Sequence, residues 1–213
     1  MKRVLSIFLV VILVSSLLVG CSEKTSNGGG GENGDTYKFA VFAPITGDYA
    51  EYGKGFEVAT KMAADKINDA GGIDGKKIEL VVFDTKGDPK ESADISRRVG
   101  EDDSYLAVIG DFSSSNAMAN APILGEAGIV QLSPTASHTD YASMNEFMFS
   151  IMGRQDGEAP FYSTYLLKKY KDVKDVGLVY INNDWGQSAY ENFMEQAEKD
   201  GLNVVAEENF VEG

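Results

Sequence analysis

From Tyr37 onward, short apolar runs alternate with longer amphipathic stretches, and that alternation leaves few architectures open. Residues 37–42, 77–83, 106–109, 129–132, 147–151 and 176–181 read as strands, and a further strand begins over 203–207. Between them, 54–70, 89–99, 114–126, 156–170 and 186–200 read as helices. In the first of these Phe56, Ala59, Ala63, Ile67 and Ala70 recur at three and four, which predicts one apolar stripe, and Gly71-Gly72 stops the helix. Strands alternating with helices of these lengths predict an α/β fold of parallel sheets with helices on both faces. Ligands of such sheets bind beyond the carboxyl ends of the strands. The loops 43–53, 110–113, 133–139 and 182–186 fall at those ends.

The second of these loops is the most informative. Gly110-Asp111-Phe112-Ser113-Ser114-Ser115 follows the buried-type run Leu106-Ala107-Val108-Ile109 and opens a helix, so three serines stand where a strand gives way to a helix. The first helical turn has free N–H groups and a partial positive charge. A serine there can cap the helix, or turn its hydroxyl and N–H toward a bound carboxylate. Both readings stand on these residues. The stretch Gly128-Ile129-Val130-Gln131-Leu132-Ser133-Pro134-Thr135-Ala136-Ser137 follows it; Ile67-Asn68-Asp69-Ala70-Gly71-Gly72-Ile73-Asp74-Gly75-Lys76 and Asp84-Thr85-Lys86-Gly87-Asp88-Pro89 precede it. With these four stretches in this order, the chain from about Tyr37 to its end resembles the periplasmic branched-chain amino-acid-binding proteins, the solute receptors of ABC importers.

That resemblance implies two doubly wound parallel-sheet lobes of the type I periplasmic-binding-protein kind, which trap a ligand as they close. Lobe one would run over 37–151, and 152–213 would hold the crossover and the start of lobe two. The chain reaches Gly213 early in lobe two, so the resemblance predicts an N-terminal fragment and an incomplete second lobe. It also implies site residues. Ser114 would hold the ligand carboxylate through hydroxyl and N–H, and Ser137 would meet the ligand head. Thr135 would offer its backbone carbonyl to an ammonium group, with Phe112 and Ser113 flanking. Tyr52 would line the side-chain pocket, and Trp185 would be brought over the ligand by lobe two. For Trp185 packing at a helix start is the competing reading, and for Ser133-Pro134-Thr135 a capped turn. The acid that would bind the ammonium is expected beyond Gly213.

At the other end, Met1-Lys2-Arg3 is a basic start, residues 4–19 are almost continuously apolar, and Leu18-Val19-Gly20-Cys21 fits a lipoprotein cleavage box. The run is short and ends at a processing site, so residues 1–21 read as a signal peptide rather than a spanning helix. Cys21 is the only cysteine and would become the lipidated N-terminus, placing the mature protein outside the cytoplasm on the membrane. Residues 22–36 carry Gly28-Gly29-Gly30-Gly31 and read as a flexible tether with a reach of about 20 Å.

The formal charge of −14 disfavours nucleic acid and anionic lipid as partners. One cysteine and one histidine leave no metal cluster in view, and no cofactor is expected. Residues 47–55 miss the phosphate-loop spacing and lack a Ser or Thr after Lys54; Val58 stands where a dinucleotide fingerprint needs its third glycine. Ser137, His138 and Asp140 are triad residue types, but they are sequence neighbours without a nucleophile elbow. The reading is therefore a monomeric, lipid-anchored binding protein and not an enzyme. It would deliver an amino acid or related small carboxylate or amide to the membrane permease of an ABC importer. A ligand-sensing receptor domain of the same fold is the alternative, and an extracytoplasmic α/β enzyme a more distant one.

Overall fold

The computed structural model describes residues 36–211, so Cys21 and nearly all of the tether lie outside the described residues. The elements run β1 (Thr36–Ala43), α1 (Ala50–Asp69), β2 (Lys77–Asp84), α2 (Pro89–Gly100), β3 (Tyr105–Ile109), α3 (Ser114–Glu126) and β4 (Val130–Ser133). A 3-10 turn (Tyr141–Ser143), β5 (Met148–Ser150), α4 (Gln155–Lys169), β6 (Asp175–Ile181), α5 (Asp184–Asp200) and β7 (Asn203–Phe210) follow. Every strand and helix expected from the sequence is present, with ends within a few residues except at α1, which starts one turn early.

All strand pairs are parallel, and they form two sheets, one in the order β2-β1-β3-β4-β5 and one of β6-β7. In the first sheet the chain winds outward from β1 to β2, then reverses across β1 to β3. Right-handed crossovers then put α1 on one face and α2 and α3 on the other. The reversal leaves a crevice between the carboxyl ends of β1 and β3, where such folds bind ligands.

Alternation along β1 feeds both faces: Ala40 and Phe42 join Ile95 and Val99 of α2, Val108 of β3, and Ala117, Ala121 and Leu124 of α3 in the main core. A second, smaller core of Ala159, Phe193, Ala197 and Leu202 gathers α4 and α5 against the second sheet.

The stripe expected on α1 is corrected. Ala59, Ala63 and Ala70 are exposed, and the less exposed face carries Gly53, Phe56, Thr60, Ala64, Ile67 and Asn68. A side chain at Gly53 would place its Cβ 2.0 Å from the Pro44 carbonyl oxygen, so the helix turns its glycine to the preceding loop and rotates the alanines outward. Its second apolar face, with Val58 and Met62, is exposed. No helix among the described residues is long and apolar enough to cross a membrane.

Candidate functional site

At the end of β3 the chain turns at Gly110, whose φ of +123° and whose position 2.0 Å from the Phe42 carbonyl oxygen, measured to a built Cβ, admit only glycine. Three consecutive carbonyls after the turn are held from β4 and its loop. Gln131 Nε2 donates to Gly110 O (2.8 Å), Ser133 Oγ to Asp111 O (2.9 Å) and Thr135 Oγ1 to Phe112 O (2.6 Å). On the other side the buried Asp111 carboxylate accepts from Ser92 Oγ of α2 (2.8 Å), Asn116 Nδ2 of α3 (2.8 Å) and the Phe112 N–H. Burial pushes the Asp111 carboxyl above the usual range, against the lowering effect of the bonds from Asn116, Phe112 and Ser92 and of the buried Thr85 hydroxyl.

Ser113 is the N-cap of α3, with its Oγ accepting from Asn116 N (3.1 Å). Ser114 is therefore released from capping. Its Oγ accepts instead from the N–H groups of Ser137 and His138, both at 3.3 Å, which leaves the hydroxyl proton to be donated. Ser137 is built the same way: its Oγ accepts from Gln155 Nε2 (3.0 Å) and its carbonyl from Gln155 N (3.0 Å). Thr135 spends its hydroxyl on Phe112, so only its backbone remains for another role.

Aromatic rings border this polar group. Phe112 stacks on Tyr52 at 4.6 Å between centroids, and Tyr49 and Phe56 lie 5.0 and 6.3 Å from it. Tyr52 remains 58 % exposed. The structure thus brings Tyr52, Phe112, Ser113, Ser114, Thr135 and Ser137 into one connected set.

Trp185 is placed beside that set, not within it. It opens α5, whose cap is Asn183, with Oδ1 accepting from Gly186 N (2.9 Å), and Asp184 N donates to Ser115 Oγ on α3 (3.4 Å). The indole, 44 % exposed, walls a cavity of about 230 Å³ together with Gln155, Glu158, Tyr162 and Tyr190. No ring contact among the described residues joins it to Phe112 or Tyr52. Thr139 bonds across to α5, its hydroxyl 3.1 Å from Ser188 Oγ and accepting from Asn192 Nδ2 at 3.2 Å.

The hydroxyl, imidazole and carboxylate of Ser137, His138 and Asp140 form no relay. Ser137 Oγ bonds Gln155, and His138 Nδ1 accepts from the backbone N–H of Asp140 (3.1 Å). Among the described residues no cluster of three or more His, Cys, Asp or Glu could hold a metal ion. Sequence reasoning missed Asp111, Asn116, Gln131 and Gln155. A readable signal existed for Gln131 alone, a long polar side chain between Val130 and Leu132 in a buried strand.

Comparison with known proteins finds relatives in sequence and in fold. The sequence pattern of the periplasmic binding protein family matches residues 36–212. An amino acid binding protein of Pseudomonas aeruginosa is 30% identical over 174 residues, covering 81% of this chain and 46% of the relative. A leucine-, isoleucine-, valine-, threonine- and alanine-binding protein of the same organism is 27% identical over 84% of this chain and 48% of its own. The chain spans about half the length of these curated relatives. Among solved structures, the branched-chain amino acid transporter substrate binding protein of Streptococcus pneumoniae, in complex with isoleucine, superposes with a TM-score of 0.75 at 28% identity. It covers 84% of this chain and 50% of that one.

Proposed function

Since the chain belongs to the periplasmic binding protein family, we propose that it captures an amino acid or a related small carboxylate beyond the β1 and β3 ends and delivers it to the permease of an ABC importer. The observation that carries this reading is the state of Ser114. It is freed from capping by Ser113, and its oxygen is filled by two backbone N–H groups, so its proton is available beside the first turn of α3. A ligand carboxylate there meets that hydroxyl and the positive end of the helix. Ser137 offers a second hydroxyl, the Thr135 carbonyl can accept from an ammonium group, and Tyr52 on Phe112 supplies an apolar wall. Trp185 covers the ligand when the second sheet and its helices swing toward the first. Lipidation at Cys21 would keep the protein outside the cytoplasm on the membrane, and acyl labelling of Cys21→Ala against wild type reads this directly.

Isothermal titration of the full-length protein, with its whole second lobe, against L-isoleucine, the ligand bound in the Streptococcus pneumoniae relative, tests the site. Ser114→Ala should weaken binding roughly ten- to a hundredfold, since a hydrogen bond to a charged group contributes about 1.5–3 kcal/mol. Equal affinity at equal stability would reduce Ser114 to a tie between α3 and the loop after β4.

A further inference from the structure

We propose that Asp111 is the positioning residue of this site, its buried carboxylate fixing the aim of the Phe112–Ser114 turn by tying it to both α2 and α3. The proposal rests on the reading of that turn as the ligand-holding one. Asp111 is fully buried, yet its partners are a hydroxyl, a side-chain amide and a backbone N–H, with no cation among them. A buried carboxylate without a counter-charge is costly, and the charge is held only by donors aimed at it. Here the donors come from three directions: Ser92 on α2, Asn116 just inside α3, and Phe112 on the turn itself.

The opposite side of the turn is held differently. Gln131, Ser133 and Thr135 take the carbonyls of Gly110, Asp111 and Phe112, which holds the backbone from one side. The Asp111 side chain holds it from the other. Farther along, α2 and α3 are held by apolar packing, and their contact offers no polar substitute. Ser96 Oγ, Asn116 Oδ1 and both polar side-chain atoms of Asn120 are buried without a hydrogen-bond partner. The Asp111 side chain is therefore the polar tie between these two helices at the end that carries the serines.

Asp111→Ala and Asp111→Asn, followed by amide hydrogen exchange, test the role. Alanine should speed exchange at Phe112 and Asn116 by about ten- to a hundredfold beyond any change at Val41 and Val108 in the central strands. Asparagine should restore most of the protection. Its oxygen can accept from Phe112 N–H, and its amide can donate to Ser92 Oγ and to the Asn116 oxygen that now has no partner. Isoleucine affinity should follow the same order, falling tenfold or more in the alanine variant and recovering in the asparagine variant. A uniform rise across turn and strands, or no rescue by asparagine, overturns the proposal; so does lost isoleucine binding with unchanged exchange. Wild-type protein that takes no isoleucine counts against the ligand reading, and the exchange result still decides the role of Asp111.

Discussion

Asp111 carries a second consequence, for stability. Its folded-state carboxyl lies above its ordinary value of 3.8 because burial disfavours the charged form. A raised carboxyl binds its proton more tightly when folded. Its favourable contribution is thus full below the unfolded value and is lost as pH rises through the folded one. Asp111→Asn removes the titration. In urea unfolding measured from about pH 4 upward, the variant should gain stability relative to wild type as pH rises, and a constant difference would mean the carboxyl is not raised. Asp84 behaves oppositely. Burial works to raise it, but bonds from the Thr46 hydroxyl (2.6 Å) and the N–H groups of Lys86, Thr46 and Ile45 outweigh burial and hold it below its usual value. Its stabilisation is present above the ordinary carboxylate value and fades as pH falls through the folded one, so the two residues bend the pH profile in opposite senses.

At the scale of elements, capping explains most of what the sequence made legible. Asp88 before Pro89, Ser113 before Ser114 and Asn183 before Asp184 each accept from an N–H three residues on, so α2, α3 and α5 begin where their polar residues stand. The α1 start was less legible, because Tyr49 supplies no side-chain cap and the helix begins by the backbone alone. Its stripe was misread because alanine suits an exposed helix as well as a buried one, while Gly53 is dictated by a carbonyl contact that no periodicity records. The serines of the site were legible as serines at a strand-to-helix turn. The division of labour between Ser113 as cap and Ser114 as tie was not, since it depends on a loop more than twenty residues away in sequence. Asn183→Ala should cost about 1 kcal/mol, read as an earlier urea midpoint of Trp185 emission. No change there would show that α5 is set by packing of Phe193 and Ala197 alone.

For the whole molecule, the two sheets are unequal. Five strands and a core from two helices stand against two strands whose Val179 and Val205 are 74 % and 64 % exposed. A two-stranded sheet is marginal without support, so the second sheet and its helices should loosen first. Trp185, the single tryptophan, reports that region. Its emission should reach its urea midpoint before far-UV ellipticity does, whereas coincident curves would show one cooperative unit. The bonds between the two parts have a further property. Asp184 N to Ser115, Thr139 to Ser188 and Asn192, and Gln155 to Ser137 all join uncharged groups. The ion pairs among the described residues, such as Lys38–Asp102 and Lys199–Glu195, each stay on one side. In a chain carrying a formal charge of −14, the hydrogen bonds of this seam thus join neutral groups that counter-ions do not weaken. Between about 0.01 and about 1 M salt, where the screening length shrinks from about 30 to about 3 Å, the Trp185 emission maximum should hold still. A seam of this kind offers salt no ion pair to loosen, so it holds in dilute and in briny surroundings alike.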